Sequence, residues 1–536
     1  MKEWRQLALI ASMSAILFIP FLGRVHLFDW DEINFAESAR EMLMTGNYSI
    51  VMIDFQPFYE KPPLFFWLQA AAMKIFGVNE FAARFPNAVC GIITLSLIFF
   101  LGRKHFDAVF GRLWTLAYAG SLLPHFYFKS GIIDPWFNLF IFSGIAALAA
   151  ARDSSVQKLI PFALAGCFTA LAILTKGPVA LLLVMLTAIL YFISSCTLPS
   201  FKDVLIFFLF VFFVSSLWYG IEIMRSGMGF VRQFTSYQAQ LFGTEVAGHG
   251  GPFYYHAVVL LLGCFPASVI AIPAFFSKHG ANSLQLDFRK WMLILFLVVL
   301  VLFSVVKTKI IHYSSLCYLP LTFFAAWEIY FRMKNTWQFS GIQSALLLLF
   351  GLLIGGVAAF IPYLGENKDL LMPHLDDPFA KASLEANVSW HGSLIAIGVT
   401  YMALVIASVA VMRRRLQAGT ILMFAGTGIF IQALMIFFVP RIEQYTQRAA
   451  VDFYKSLQGK DVYVYPLGFK SYAHLFYSQK KPPAQSEYKN TDLLLNSALD
   501  KPAYFVSRTD RAQRYRSLPQ LEEIGRKNGF VFFKRK

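Results

Sequence analysis

The stretch Asp29–Pro63, DWDEINFAESAREMLMTGNYSIVMIDFQPFYEKPP, gathers seven carboxylates into thirty-five residues of a chain that is 57% hydrophobic. Asp29, Asp31, Glu32, Glu37, Glu41, Asp54 and Glu60 stand there beside Arg40 and Lys61. The pattern predicts a helix over about 31–45, a Gly46-Asn47 turn, an extended run, and an aromatic approach to Glu60-Lys61-Pro62-Pro63. The two prolines hold the preceding residues extended and remove main-chain donors, so Glu60 and Lys61 are presented from a stiff turn. A structural reading competes with a functional one. Asp29 and Glu32 have the spacing of a capping box with Asp29 as N-cap. Glu37, Arg40 and Glu41 suit a solvated helix face.

On either side the chain turns apolar. With 17% aromatic residues, 15% charged residues and a mean hydropathy of +0.56, its 536 residues do not read as a soluble globular protein. Apolar runs of about 17–25 residues cross ~30 Å of hydrocarbon. About thirteen such segments are expected, near 7–23, 83–101, 113–128, 135–151, 159–174, 178–195, 204–222, 254–276, 291–306, 313–331, 341–362, 392–412 and 417–439. No small-residue cleavage site follows the first, so it reads as a retained helix. Lys2, Arg5, Arg103, Lys104, Arg112, Arg152, Lys158, Lys202, Lys278, Arg289, Lys290, Arg332, Lys334 and Arg413–Arg415 all fall on one side of the alternation. By the positive-inside rule that side is cytoplasmic, which puts the N-terminus inside and the 24–82 loop and C-terminus outside. The net charge of +16 is thereby accounted for by topology and anionic lipid, and nucleic acid is not implied. Cys90, Cys167, Cys196, Cys264 and Cys317 show no metal spacing and read as apolar packing residues.

The fold expected is a polytopic α-helical membrane domain over 1–439 and a small extracytoplasmic α/β domain over 440–536. In the latter, 462–465, 503–506 and 530–533 read as strands, and 472–477 and 493–498 as helices. Leu64–Phe76 is too short to span and reads as an interfacial helix with Phe65, Phe66 and Trp67 at headgroup depth. Asp134-Pro135 has the form of an N-cap and first-turn proline for the fourth span.

Two motifs in order, DE-x3-AE-x-AR-EML-x2-G and EKPPL-x2-WL, resemble the first outer loop of the ArnT-like and protein O-mannosyltransferase-like glycosyltransferases of GT-C type. FAARFPNAVCG, LTKGP, HGGPFYY and the basic pair before YLP resemble later family motifs. The resemblance implies transfer of a sugar from a polyprenyl (undecaprenyl) phosphate carrier to a lipid A-like or other cell-envelope acceptor, at the periplasmic face of a bacterial inner membrane, with inversion at the anomeric carbon. It makes Asp31 the base or acceptor-orienting carboxylate, supported by Asp134, with Lys61 on the departing phosphate. Glu32, Arg40, Arg84, Lys307 and Lys309 are the substrate-contact candidates. Glu60 and His249 match the family's ligands for a divalent metal, and zinc accepts such nitrogen and carboxylate donors. This sequence has Phe253-Tyr254-Tyr255 where ArnT-like relatives place a basic residue after that histidine. Lys176 of LTKGP is either a local carbonyl partner or a residue facing the cavity, and the structural role is the preferred reading.

A protein hydroxyl acceptor with a mannose donor is the alternative within the enzyme class. A transporter of lipid-linked sugars is the alternative outside it, but charge here lies in outer loops and not at the midplane, and no repeat is visible.

Overall fold

The computed structural model describes residues 3–151, 159–243, 250–482 and 491–536. Lys2, Arg152, Lys158 and His249 lie outside the described residues. Each of the thirteen expected segments coincides with a helix or with a helix broken once. Seven helices are long and apolar enough to cross a membrane, and the bent pair Tyr255–Gly263 and Ala267–Phe275 makes an eighth. Trp4–Phe18, Asp134–Ala150 and Val179–Ser194 are apolar but shorter. The 113–128 segment is divided into Ala108–Ala119 and Leu122–Tyr127.

The outward face of Phe201–Ser226 exposes Leu205, Leu209, Phe212, Phe213 and Leu217. An apolar stripe of that extent is stable only against lipid. Inside, Trp114, Trp291 and Trp327 are fully buried in one contiguous core. Gly341–Glu366 and Ile395–Met412 meet across glycines: a Cβ on Gly398 would lie 2.4 Å from Ala359 N, so a larger residue there would force the helices apart. The helices begin on side-chain caps where the sequence offers them, as at Ser200 with Asp203 and Ser340 with Gln343, each a reciprocal capping box.

The first outer loop forms the helix Asp31–Thr45, ended by Gly46 in the left-handed region at φ 68°, whose N–H bonds Met42 O. The capping box at its start does not form. Trp30 is the N-cap and makes no side-chain cap, because Glu32 Oε2 accepts from Phe28 N at 3.0 Å while Asp29 turns to the C-terminal domain. A two-residue hairpin follows, β1 (Met52–Ile53) and β2 (Gln56–Pro57), and then the helix Leu64–Phe76. Phe65 and Phe66 do not face outward from the protein. They are fully buried against Phe35, Met42, Val51 and Ile133, and Trp67 donates to Tyr48 O at 2.6 Å.

The last apolar helix continues past the expected boundary, through a π turn at Leu434–Phe438, to Thr446. Beyond it, β3 (Tyr463–Leu467), β4 (Ala503–Arg508), β5 (Leu521–Lys527) and β6 (Phe530–Arg535) form a sheet in the order β3-β4-β6-β5. β3 and β4 are parallel, and the other two pairings are antiparallel. One side of this domain shares its core with the first outer loop: Ala449, Tyr454, Phe476, Tyr477 and Phe532 pack with Leu27, Ile33, Ala36, Ala39 and Met73.

Candidate functional site

A cavity of about 700 Å³ opens where five elements meet: the first outer loop, the start of Asp134–Ala150, the turn from Lys176 into Val179–Ser194, the segment around 303–316, and the C-terminal domain. Asp31, Glu60, Lys61, Asp134, Lys176 and His312 all line it. Sequence positions some 280 residues apart are thus brought to one volume because helix ends place them there.

Asp134 is the first residue of its helix and not its cap, which is Ile133. Its carboxylate accepts from Lys176 Nζ at 2.5 Å, while the other oxygen lies 3.8 Å from His312 Nε2. Lys176 therefore faces the cavity and pairs with Asp134, correcting the structural role preferred for LTKGP. Its ammonium also sits 5.2 Å from the Tyr313 ring centroid and 5.5 Å from that of Phe137. His312 Nε2 is equally 3.8 Å from Asp31 Oδ2. The two aspartates differ in access: the Asp31 side chain is 45% exposed, that of Asp134 only 3%. Asp31 is the carboxylate that a second substrate can reach. Asp134 is already neutralised by Lys176.

Burial draws the Lys61 ammonium below the ordinary lysine range, with Glu60 and then Asp31 and Asp134 pulling it back and Lys176 adding to the depression. Burial likewise lowers the His312 imidazole, against the pull of Asp134. His312 is thus favoured as a neutral ring between two carboxylates, able to donate to one. It was missed at the sequence level although it lies three residues after Lys309 in the KTKIIHY run. The signal was its place at a helix end on the outer side.

The other substrate-contact candidates are placed elsewhere. Glu32 and Arg84 form a buried pair, Nη2 to Oε2 at 2.7 Å and Nε to Oε1 at 2.9 Å. Arg84 also donates to Leu22 O, Val25 O and His26 O, and Glu32 Oε1 accepts from Gly131 N. Their capacity is spent on the scaffold. Arg40 is bidentate to Glu37 and donates to Lys480 O at 2.8 Å, which ties the loop to the C-terminal domain. Lys309 is buried and donates to Phe303 O, Ser304 O and Val306 O, closing the C-terminus of Ser283–Val305. Lys307 is exposed and does not line the cavity.

Glu60 supplies a carboxylate on the cavity wall, a donor that suits a hard or borderline divalent ion. Among the described residues no group of three or more His, Cys, Asp or Glu side chains is placed to hold a metal, and His249 lies outside those residues. From the C-terminal domain, Lys470 and Tyr472 line the cavity beside Trp30. Burial pushes the Asp29 carboxyl up to about 6, against hydrogen bonds from the Ser471 side chain and the Tyr472 backbone.

Known proteins resemble this chain in sequence and fold. The family described as dolichyl-phosphate-mannose-protein mannosyltransferase matches residues 60–219. An uncharacterized protein of Aquifex aeolicus is 29% identical over 360 residues, 67% of this chain and 81% of that protein. The undecaprenyl phosphate-alpha-4-amino-4-deoxy-L-arabinose arabinosyl transferase of Shewanella sediminis is 26% identical over 369 residues, 68% of this chain and 67% of its own. The crystal structure of ArnT from Cupriavidus metallidurans bound to undecaprenyl phosphate superposes with a TM-score of 0.80 at 16% identity, covering 99% of this chain and 98% of that one. The fold is that of a polytopic GT-C membrane protein. Within that class the chain is similar to ArnT-like glycosyltransferases.

Proposed function

We propose that the protein transfers a sugar from a polyprenyl-phosphate carrier to a cell-envelope acceptor at the outer face of the bacterial inner membrane, with its N-terminus cytoplasmic. The observation that carries this reading is the cavity at the ends of membrane helices, where two lysines stand beside two aspartates. A carrier anchored in lipid presents its phosphate at that depth, and a leaving phosphate needs cations at the point where its charge develops.

In the step proposed, an acceptor oxygen attacks the anomeric carbon opposite the carrier phosphate. The new C–O bond forms as the bond to the carrier oxygen breaks, and its electron pair stays on the departing polyprenyl phosphate. Lys61 neutralises that charge. Lys176 orients Asp134 and adds a second positive centre. Asp31, the accessible carboxylate, takes the proton if the acceptor is a hydroxyl; a phosphate acceptor has none to give, and Asp31 then acts through orientation and charge. Glu60 with His249 would hold a divalent metal, zinc being suited to that pair, and it would supply further positive charge at the phosphate.

The mannosyltransferase family match over 60–219 favours a second reading, with a protein Ser or Thr hydroxyl as acceptor. Incubating the purified protein with undecaprenyl-phosphate sugars and either acceptor, with products identified by mass spectrometry, separates the two. No transfer to any acceptor would sink both. Lys61→Ala should lose donor affinity and single-turnover rate together; wild-type behaviour would remove Lys61 from the phosphate. Metal analysis of the purified wild type against Glu60→Gln tests the ion, and equal content in both would exclude Glu60 as a ligand. A reporter fused after Lys536 that is active only in the cytoplasm would overturn the orientation.

A further inference from the structure

Asp31 and Asp134 are held very differently, and the difference turns on one ring. Asp134 is anchored by Lys176 Nζ at 2.5 Å in a buried position. Asp31 is half-exposed and, among the described residues, is ion-paired with His312 alone, Nε2 to Oδ2 at 3.8 Å. The backbone beneath that ring is clamped from two sides. His312 O accepts from Ser315 Oγ at 2.6 Å, and Ser315 Oγ accepts in turn from Asn138 Nδ2 at 2.8 Å. Asn138 stands one turn after Asp134 on the helix Asp134–Ala150, so the histidine is tied to the helix that carries the anchored carboxylate. On the other side, buried Lys309 fastens the same segment to Phe303 O, Ser304 O and Val306 O. The clamps lie three residues before His312 and three after it. They make the histidine a fixed point against which an exposed carboxylate can be set.

We infer that His312 is a positioning residue for Asp31: its ring N–H holds the Asp31 carboxylate toward the acceptor, and Asn138, through Ser315, holds the ring. This rests on the transferase reading above. Lys176 already satisfies Asp134, so the one N–H that His312 can present from Nε2 is left to the accessible carboxylate. Catalytic hydrogen bonds of this kind are long before substrate seats and tighten with it. A donor to one Asp31 oxygen stabilises the charged form and leaves the other oxygen for the acceptor. No proton passes to the histidine in this scheme; a hydroxyl acceptor gives its proton to Asp31. The charged and titratable groups that face His312 come from several elements: Asp31, Lys61, Asp134, Lys176 and, on Tyr255–Gly263, His256. Glu60 lines the same cavity, and Lys309 and Tyr313 adjoin the histidine on its own segment. The two lysines offset the two aspartates, so no net charge forces a second proton onto the ring.

The test uses full-length protein in detergent, an undecaprenyl-phosphate sugar as donor, and lipid and Ser/Thr peptide acceptors, with kcat and both KM values followed from about pH 4.5 to about pH 8.5. His312→Ala should lower kcat at neutral pH about tenfold, the scale of one hydrogen bond to a charged group, with both KM values within about threefold of wild type. Losing a donor to an anion favours its protonated form, so the acid limb of the kcat profile should move up by about one pH unit. His312→Gln, which keeps an N–H but cannot titrate, should bring that limb back to within about 0.3 unit of wild type. Asn138→Ala, with the ring present and one clamp removed, should shift the limb in the same direction by less. On an Asp31→Asn background, His312→Ala should cost less than about threefold more, since groups that act as one unit are non-additive. An acid limb that stays in place in His312→Ala overturns the assignment, and so does full additivity with Asp31→Asn or a folded His312→Gln that recovers nothing. Should His312→Ala not fold, the limb of Asn138→Ala decides: an unmoved limb overturns the assignment. In each of these cases the wild type still transfers sugar and the transferase reading stands, whereas a wild type that transfers to no acceptor overturns that reading and this one with it.

Discussion

Asp31 and Glu32 are consecutive carboxylates at the start of one helix, and they are put to opposite uses. Asp31 projects into the cavity, half-exposed, 3.8 Å from a histidine. Glu32, turned by about 100° along the helix, is buried on Arg84 and two backbone donors. The same holds farther along: Glu37 and Glu41 face inward with Arg40 and never reach the cavity lining. A run of acidic residues is therefore two populations. One face of the helix lines the cavity, and the other is the strut that holds that face in place.

Breaking the strut should give the largest effect. Arg84→Ala leaves the buried Glu32 charge without its counter-ion and three carbonyls without their side-chain donor, at a cost of about 3–5 kcal/mol. Thermal melting in detergent would check it, and an unchanged melting temperature would mean that Arg84 is not structural. Asp31→Asn, one residue from Glu32, should do the reverse. Turnover should fall about a hundredfold with a hydroxyl acceptor while the melting temperature moves little. Turnover near that of the wild type would return Asp31 to a helix-start role.

Asp29 sharpens the comparison through pH. Its folded value of about 6 lies above the ordinary 3.8, so between those values the folded protein holds a proton that the unfolded chain has released. Stability contributed by this group is present at low pH and falls as pH rises through 6. The loss is on the order of 2 kcal/mol, after allowing for partial exposure. Asp29→Asn should flatten the melting profile between pH 4 and 7; an unaltered slope would refute the assignment. The smallest effect belongs to Glu41. Burial, then the Glu37 charge, raises its carboxyl well above the usual range and favours the neutral form, so Glu41→Gln should change stability by less than about 0.5 kcal/mol. A loss above about 2 kcal/mol would show that the group is ionised.

Local rules read the helix 31–45, its Gly46 stop and the segments 463–467, 503–508 and 530–535 well, because periodicity and turn chemistry are contained within the windows that form them. β5 was not legible: Leu521–Lys527 is polar and sits at the sheet edge, so its strand state comes from pairing with β6. Asp31, Asp134 and Lys61 were legible as cavity residues through motif resemblance. Glu32, Arg40, Arg84 and Lys309, expected at the substrate, are all bonded to protein partners, and for one reason. A charge at the membrane boundary satisfies carbonyls and buried partners as readily as it binds a substrate, and only three-dimensional placement separates the two uses. Neither Lys470 nor Tyr472 carried any local signal, since the wall they form exists only once the C-terminal domain is docked.

That docking sets an order of events during synthesis. The carboxylates of the first outer loop are made early, whereas Ser471 and Tyr472 and the apolar face that covers Leu27, Ile33 and Met73 follow roughly four hundred residues later. At a chain growth of about 5–20 residues per second, the loop waits on the order of 20–80 s, with its inner face uncovered, for its partner to arrive. The cavity wall that Lys470 and Tyr472 supply is consequently added only after every helix long enough to span a bilayer has been made.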